Sequence, residues 1–512
     1  MPLSPLLAAV DLGSNSFRLE IGRLDHGRIQ RVDYLKETVR QGNGLDERNH
    51  LSQEAMQRGW DCLARFGERL AGFGVRQVRA VATQTLREAR NREEFLARGG
   101  ELLGFPIEVI PGGEEARLIY QGVAHLLPDS DERRLVVDIG GRSTELILGQ
   151  RHASRVAQSF RVGSVAWSMQ YFPQGRFTAA AFSAAEIAAQ AVLEVALDTY
   201  PRDAWDVAYG SSGTVGAVGE ALAAAGQAPG TITLKALDGL RDRLVRAGSA
   251  QALRIEGLKE DRRAVIGGGL SVLRAVMLQF GIEQMQVAQG ALRQGVLYDL
   301  VDRAAPDTDL RGPSAAQLAT RFGVDMAQAD RVERTALHFF EQILPPDAAA
   351  ADPEAGPARE LRWAARLHEV GRRIAHSGYH KHGAYILDNA DAAGFTLTEL
   401  HRLSLLVLGQ RGKLRKLEAH LGDAGLARQT LCLRLAVALC HARRDPDIAS
   451  IGLRERNRTW TLRLPADWSR RFPQSDHLLR EEALAWSRTG WTLELQQKSS
   501  ASRDDRAPTL AG

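Results

Sequence analysis

The 512-residue chain is poor in cysteine, in net charge and in long apolar runs, and each deficit excludes a class of protein. Cys62, Cys432 and Cys440 are scattered and odd in number, which argues against a disulfide framework and favours a reducing cytoplasm. A net charge of only +4 excludes a polycation that coats nucleic acid, so we expect no specific nucleic-acid partner. No apolar run approaches about 18 residues, and MPLSPLLAAV lacks a basic region, so we expect neither a transmembrane segment nor a signal peptide.

The sequence does contain one ten-residue motif twice. VDLGSNSFRL begins at Val10 and VDIGGRSTEL begins at Val137. Each copy predicts a strand that ends in Asp-x-Gly, followed by a turn whose N–H groups bind an anion. Two copies predict two related lobes that hold one phosphate from both sides. The phosphate-binding candidates are Gly13, Ser14, Asn15, Ser16, Gly140, Gly141, Arg142, Ser143 and Thr144.

Patterning along the chain predicts four folded regions and a tail. Strand patterns alternate with helical patterns in the first 300 residues, and helical periodicity dominates after a linker-like segment, DRAAPDTDLRGPS. Near the end, TWTLRLPADW and WTLELQQ predict strands. The predicted regions are lobe I at 1–125, lobe II at 126–303, a helical domain at 315–445, a small α+β cap at 446–497 and a disordered tail at 498–512.

The doubled motif resembles the phosphate loops of the actin, hexokinase and heat-shock ATPase superfamily. GSSGTVGAV stands where a third glycine-rich loop of that superfamily falls, so the resemblance implies that Ser212, Gly213 and Thr214 also bind phosphate. ATQTLREARN, PIEVIPGGEEARLIYQGV, VVDIGGRSTEL and GALRQGVLYD closely resemble the exopolyphosphatase / guanosine pentaphosphate phosphohydrolase family, and the resemblance spans essentially the whole chain. It implies an α/β fold of two duplicated actin-like (ribonuclease H-like) lobes around a cleft. An all-α HD-like domain and a small α+β C-terminal cap would follow.

The resemblance also implies roles for individual residues. Glu115 matches the family's catalytic Glu and would take a proton from the attacking water. Asp138 and Glu145 would hold Mg²⁺ with phosphate oxygens, and Asp11 is a weaker candidate for the same site. A monovalent cation such as K⁺ is a further candidate cofactor. Arg87 would pair bidentately with a phosphate.

The residues alone permit a second interpretation at three of these positions. Glu114 and Glu115 open a helix, where acidic side chains are also favoured by the helix dipole. Arg87 can instead be a solvated helix arginine. Arg142 stands where family members usually have Gly or Ala: it would add a cation to the phosphate site, point outward, or crowd the loop.

The helical domain offers a weaker pattern. LHEVG resembles the His-Asp pair of metal-dependent phosphohydrolases, but Glu369 stands in place of the Asp and no flanking ligand set is evident. We therefore expect a degenerate domain without a metal. Arg411, Lys413, Arg415 and Lys416 form either a basic track for a long polyanion or an ordinary charged helix face.

The family resemblance predicts a phosphoanhydride hydrolase that removes terminal phosphates from inorganic polyphosphate. A second reaction with the same chemistry would remove the 5′ terminal phosphate of guanosine pentaphosphate, with guanosine tetraphosphate as a further ligand. A sugar-kinase-type phosphotransferase, a non-catalytic sensor of polyphosphate or alarmone, and an actin-like scaffold are the remaining classes of function. We expect a cytoplasmic homodimer, and peripheral contact with a membrane is left open.

Overall fold

The protein, described from a computed structural model, forms two compact units. The described residues are 6–304, 308–344 and 356–497. The first unit consists of Met1–Leu310 and Asp391–Leu397, and the second of Arg311–Ala390 and Thr398–Gly512. The predicted tail at 498–512 lies outside the described residues, and the domain boundaries stay predictions.

Lobe I of the first unit is built on a five-stranded sheet. Its strands are β1 (Leu6–Leu12), β2 (Phe17–Asp25), β3 (Arg28–Glu37), β4 (Val78–Ala82) and β5 (Ile107–Val109). The order across the sheet is β3-β2-β1-β4-β5. β1 pairs antiparallel with β2 and parallel with β4. β1 is apolar and almost wholly buried because both faces of the sheet are covered.

Four helices belong to the same stretch of chain. They are α1 (Gln53–Arg69), α2 (Gln84–Glu88), α3 (Arg92–Leu103) and α4 (Gly112–Ala124). The Ser52 hydroxyl accepts a hydrogen bond from the Ala55 N–H at 3.3 Å, so a side chain caps α1. Phe17, Trp60 and Phe95 are buried in the core between α1, α3 and the sheet.

Lobe II repeats this plan with one additional strand. Its strands are β6 (Arg133–Ile139), β7 (Thr144–Gln150), β8 (Ala153–Phe160), β9 (Val207–Ser211), β10 (Thr231–Thr233) and β11 (Gln284–Val287). The order is β10-β11-β9-β6-β7-β8. β6 occupies the place of β1, with an antiparallel hairpin on one side and parallel strands on the other. The predicted duplication and fold class are therefore confirmed.

Seven helices belong to the same stretch of chain as this sheet. They are α5 (Ser164–Tyr171), α6 (Ala179–Leu193), α7 (Ser212–Ala224), α8 (Leu234–Ala247), α9 (Glu260–Arg263), α10 (Ile266–Gln279) and α11 (Leu292–Ala304). Among the described residues, the alanine-rich stretch Ala179–Ala196 alone has the length and apolarity of a membrane span. Its buried positions, including Phe182, Ala185 and Ala189, recur on one face and belong to the core that also contains α10.

The last helix of each lobe packs on the sheet of the other lobe. α4 contacts β6, β7 and β8, whereas α11 contacts β1, β2, β3 and β4. The two helices also pack on each other, and one apolar cluster joins them to both sheets. Glycines make this contact close: a Cβ on Gly122 would lie 2.1 Å from the Ala291 carbonyl oxygen, and one on Gly295 1.8 Å from that of Leu118.

The second unit is helical with a small sheet near its end. Its helices are α12 (Arg311–Arg321), α13 (Met326–Ile343), α14 (Pro357–Leu367), α15 (Tyr379–Asp388), α16 (Leu397–Gly409), α17 (Ala424–Leu439), α18 (Trp468–Arg471) and α19 (Pro473–Trp486). Its strands are β12 (Gly452–Arg456), β13 (Thr459–Leu464) and β14 (Thr492–Gln497), in the order β12-β13-β14. Trp460 stacks on Trp491 at 4.4 Å between ring centroids and stabilises this sheet.

Candidate active site

The two copies of the repeated motif meet at one cavity between the lobes. The first loop follows β1 and the second follows β6, the equivalent central strands. A Cβ on Gly141 would lie 3.0 Å from the Cβ of Ser14, so the loops approach within contact distance. They border a polar cavity of about 90 Å³. The geometry therefore suits a small anion held by both lobes.

The third glycine-rich turn contributes the start of α7. Ser212 has a φ of 91°, a strained value for a residue with a side chain, and its hydroxyl accepts the Thr214 N–H at 3.1 Å. A Cβ on Gly213 would lie 2.1 Å from a guanidinium nitrogen of Arg262. Glycine is therefore needed at this position for the arginine to reach the cavity.

Glu115 lies in the first turn of α4 and its side chain is nearly buried at the cavity wall. Arg87 of α2 donates to its carboxylate at 2.7 Å and also to the Ile110 carbonyl at 2.9 Å. Burial raises the pKa of Glu115, and the positive charge of Arg87 opposes that rise. A buried carboxylate with a raised pKa is suited to accept a proton near neutral pH.

Three further carboxylates are buried around the same cavity. Burial raises the pKa of Asp138 to about 6 and also raises the pKa of Asp11. Burial, followed by the charges of Glu115 and Asp138, raises the pKa of Glu145 well above its ordinary value. Ser159 donates to Glu145 at 2.7 Å. Because these acids repel one another, bound cations would stabilise their ionised forms.

Most of the residues predicted for the site line the cavity. The predicted residues that line it are Asp11, Gly13, Ser14, Asn15, Ser16, Glu115, Asp138, Gly140, Gly141, Ser143, Ser212, Gly213 and Thr214. This shared location supports the predicted roles, which stay predictions.

Four predicted residues do not line it. Glu145 lies behind the wall, and Arg87 contacts the cavity only through Glu115. The Thr144 hydroxyl donates to the Val162 carbonyl at 2.6 Å, so that oxygen holds a neighbouring strand end. Arg142 is not among the lining residues, and its Nε pairs with Glu88 at 3.1 Å.

Two cavity arginines were missed by sequence reasoning. Arg18 of β2 and Arg262 of α9 both line the cavity. The Arg18 Nε is buried without a hydrogen-bond partner among the described residues. Burial, and then the charge of Arg18, lowers the pKa of Arg262. Two cations facing one small cavity are suited to bind phosphate. Arg18 stands inside the first motif and could have been considered, whereas Arg262 carries no motif.

In the second unit, Glu369 accepts hydrogen bonds from Arg372 at 2.6 Å and from Arg443 at 2.8 Å. Its carboxylate is therefore saturated by guanidinium groups. No group of three or more His, Cys, Asp or Glu side chains suited to a metal ion is found in the parts of the chain that the structure describes.

The predicted basic track follows α16. Arg411, Lys413 and Arg415 are exposed, whereas Lys416 is half-buried and donates to the Arg411 carbonyl at 2.5 Å. Burial lowers the pKa of Lys416 to about 7, and the charge of Arg434 contributes to the same shift. The clustering of these cations is compatible with a polyanion-binding surface.

Comparisons with known proteins agree with this geometry. The chain matches the model of the Ppx/GppA phosphatase family over residues 21–304 and that of Ppx/GppA phosphatase domain III over residues 310–484. It is similar to the structure of an exopolyphosphatase from Cytophaga hutchinsonii (26% identity, 58% of this chain, 98% of that chain, TM-score 0.53). It is also similar to the structure of an exopolyphosphatase-like protein (26% identity, 59% of this chain, 100% of that chain, TM-score 0.53). A Ppx/GppA family member of Aquifex aeolicus is similar as well (25% identity, 59% of this chain, 100% of that chain, TM-score 0.50). The protein belongs to the Ppx/GppA phosphatase family.

Proposed function

We propose that this protein hydrolyses the terminal phosphate of inorganic polyphosphate and releases orthophosphate. The observation that supports this proposal most directly is the cavity that both phosphate loops and Glu115 line. Its lining of glycines, hydroxyl side chains and two arginines offers contacts suited to a terminal phosphate. Similarity to an exopolyphosphatase adds support for this substrate.

In the proposed reaction, the two loops and the cavity arginines bind the terminal phosphate. Backbone N–H groups of the loops donate hydrogen bonds to its oxygens, while Arg18 and Arg262 supply full positive charges. Glu115 accepts the proton of the attacking water, and Arg87 holds that carboxylate in place. Glu115 is buried and held by the hydrogen bond from Arg87, which keeps the base fixed as charge develops.

The donor set of the cavity fits a divalent cation. Mg²⁺ takes one or two carboxylates together with phosphate oxygens and waters, and the buried, mutually repelling acids meet this requirement. The predicted ligands are Asp138 and Glu145, with Asp11 as a third candidate. Asp138 and Asp11 line the cavity and would hold the ion together with phosphate oxygens, whereas Glu145 does not line it. When bound, Mg²⁺ shields the negative charge of the phosphates during attack.

The test measures orthophosphate release with Mg²⁺ from long-chain polyphosphate and, separately, from guanosine pentaphosphate. Glu115→Gln is expected to lower the rate about 10²–10⁴-fold, because the general base is lost. Glu101→Gln, the same change on an exposed position of α3, is the matched control and should leave the rate unchanged.

Each different outcome identifies a different function. Preference for guanosine pentaphosphate would select the nucleotide substrate with the same mechanism. Transfer of phosphate to glycerol in place of water would identify a phosphotransferase. Binding of both substrates without turnover would identify a sensor and overturn the proposal.

A further inference from the structure

Arg142, the residue at which the second phosphate loop departs from its family, connects the two lobes. Its Nε donates to Glu88 Oε2 at 3.1 Å and its Nη1 to the Gly42 carbonyl at 3.1 Å. Arg142 belongs to the β6–β7 turn of lobe II, whereas both acceptors belong to lobe I. The side chain thus spans the lobes beside the cavity without lining it.

Glu88 is the lobe I partner of this contact. It ends α2, and its side chain is 12% exposed, against 20% for Arg142. The second oxygen of Glu88 accepts a hydrogen bond from Gln84 at 2.8 Å. A second lobe II arginine, Arg161, lies 3.8 Å away but is 80% exposed, so its pairing is screened by solvent.

A continuous series of hydrogen bonds leads from this pair to the proposed general base. Gln84 donates to Glu88 through its amide nitrogen and accepts two hydrogen bonds from Arg87 through its oxygen, at 2.6 and 3.0 Å. Arg87 in turn donates to Glu115. Every link is a side-chain hydrogen bond: the links through Gln84 lie within α2, and the last one joins α2 to α4.

We propose that the Arg142–Glu88 pair is an inter-lobe latch that positions Arg87 and, through it, Glu115. Glu115 is thereby placed to accept the proton of the water that attacks the bound phosphate. The effect on turnover rests on the proposed function, whereas the latch itself does not. Arg142 and Glu88 are positioning residues, since neither lines the cavity. Breaking the latch should therefore lower kcat more than it raises KM.

The experiment compares Arg142→Met, Glu88→Gln and the double variant. Methionine keeps the stem that packs on Gly42 and removes the charge. We expect each single variant to lower kcat about 10-fold with KM for polyphosphate within about twofold, because displacement of a catalytic group is costly. The double variant should be no slower than the slower single variant, since both changes break one contact. Arg161→Ala, at the exposed arginine, is the control and should stay within about twofold of the parent.

Hydrogen exchange measured by mass spectrometry separates the latch from the chemistry. Glu88→Gln, in lobe I, should speed exchange in the lobe II peptide that contains residues 140–144, and Arg142→Met should speed exchange in the peptide that contains residues 84–88. Coupled exchange without any turnover by the parent would retain the latch and reject the proposed function. Two results would overturn the latch if the parent turns over. One is hydrogen exchange that changes only in the lobe that carries the substitution. The other is a pair of kcat losses that multiply in the double variant.

Discussion

Arg87 contacts a carboxylate where a phosphate was the expected partner. Its guanidinium donates to Glu115, to Gln84 and to the Ile110 carbonyl, which leaves it beside the proposed base. The charge of Arg87 lowers a Glu115 pKa that burial raises. Arg87 is therefore expected to set the pH range in which the base is ionised.

Arg87→Met should lower kcat/KM at neutral pH about 10- to 100-fold, because a charge-assisted hydrogen bond of about 1.5–3 kcal/mol is lost. Without the arginine the pKa of Glu115 rises further, so the acid limb of the kcat/KM profile moves to higher pH. Arg90→Met, at an exposed neighbour, should leave the profile unchanged. A loss of rate with an unmoved acid limb would instead indicate that Arg87 binds phosphate.

Lys416 gives the basic track its own pH dependence. Because its pKa is lowered to about 7, it carries charge below that pH and loses it above. We expect KM for long-chain polyphosphate to rise between about pH 6 and about pH 8, while KM for tripolyphosphate changes less. Lys416→Arg keeps the charge and should remove the difference. Equal pH dependence for long and short chains would show that Lys416 does not bind the polymer.

The position of the two glycine loops at the cavity could be predicted, because a strand followed by Asp-x-Gly fixes a turn locally. The positions of Arg18, Arg142 and Arg262 could not, because the direction of a long side chain depends on which elements fold around it. Arg142 shows this most clearly: its acceptors, Glu88 and the Gly42 carbonyl, come from a different lobe.

At the scale of elements, the contact between α4 and α11 is made by backbone. Gly122 and Gly295 allow the two helices to approach so closely that no Cβ fits between them. The acidic pair Glu114-Glu115 indicates the start of a helix, and α4 is observed there. Its partner could not be predicted, since the same apolar face suits either sheet.

Gly295→Ala should destabilise the protein by about 1–3 kcal/mol and lower kcat, because the added methyl separates α11 from the helix that carries Glu115. Gly239→Ala is the matched control: it is also a helical glycine, and its Cβ would meet nothing within 4 Å. That change should leave the unfolding temperature equal or slightly higher. Equal unfolding temperatures for both variants would contradict the close contact.

At the scale of the whole molecule, neither lobe contains all the elements that cover its own sheet. A fragment of residues 1–125 would retain α4 without β6, β7 and β8, and would lack α11. We expect it to bind a hydrophobic dye and to unfold without a cooperative transition, since its apolar helix face is exposed. The full chain, measured in parallel, should unfold cooperatively. A sharp transition in the fragment would show that lobe I is self-sufficient.

The exchanged helices follow equivalent connections in the two lobes. In lobe I, β5 lies next to β4 and is followed by α4, which packs on the sheet of lobe II. In lobe II, β11 lies next to β9 and is followed by α11, which packs on the sheet of lobe I. The cavity receives the start of both helices, but α4 presents Glu115 there and α11 presents Leu292. Asp11 and Asp138 line the cavity from both lobes, but only α4 of these two helices adds a carboxylate, so the helices give a bound phosphate two unequal faces. On the proposed mechanism, water attacks the terminal phosphorus from the side of α4, so the leaving chain must lie on the opposite side of that phosphorus. Because the two ends of linear polyphosphate are identical, either end can enter the cavity.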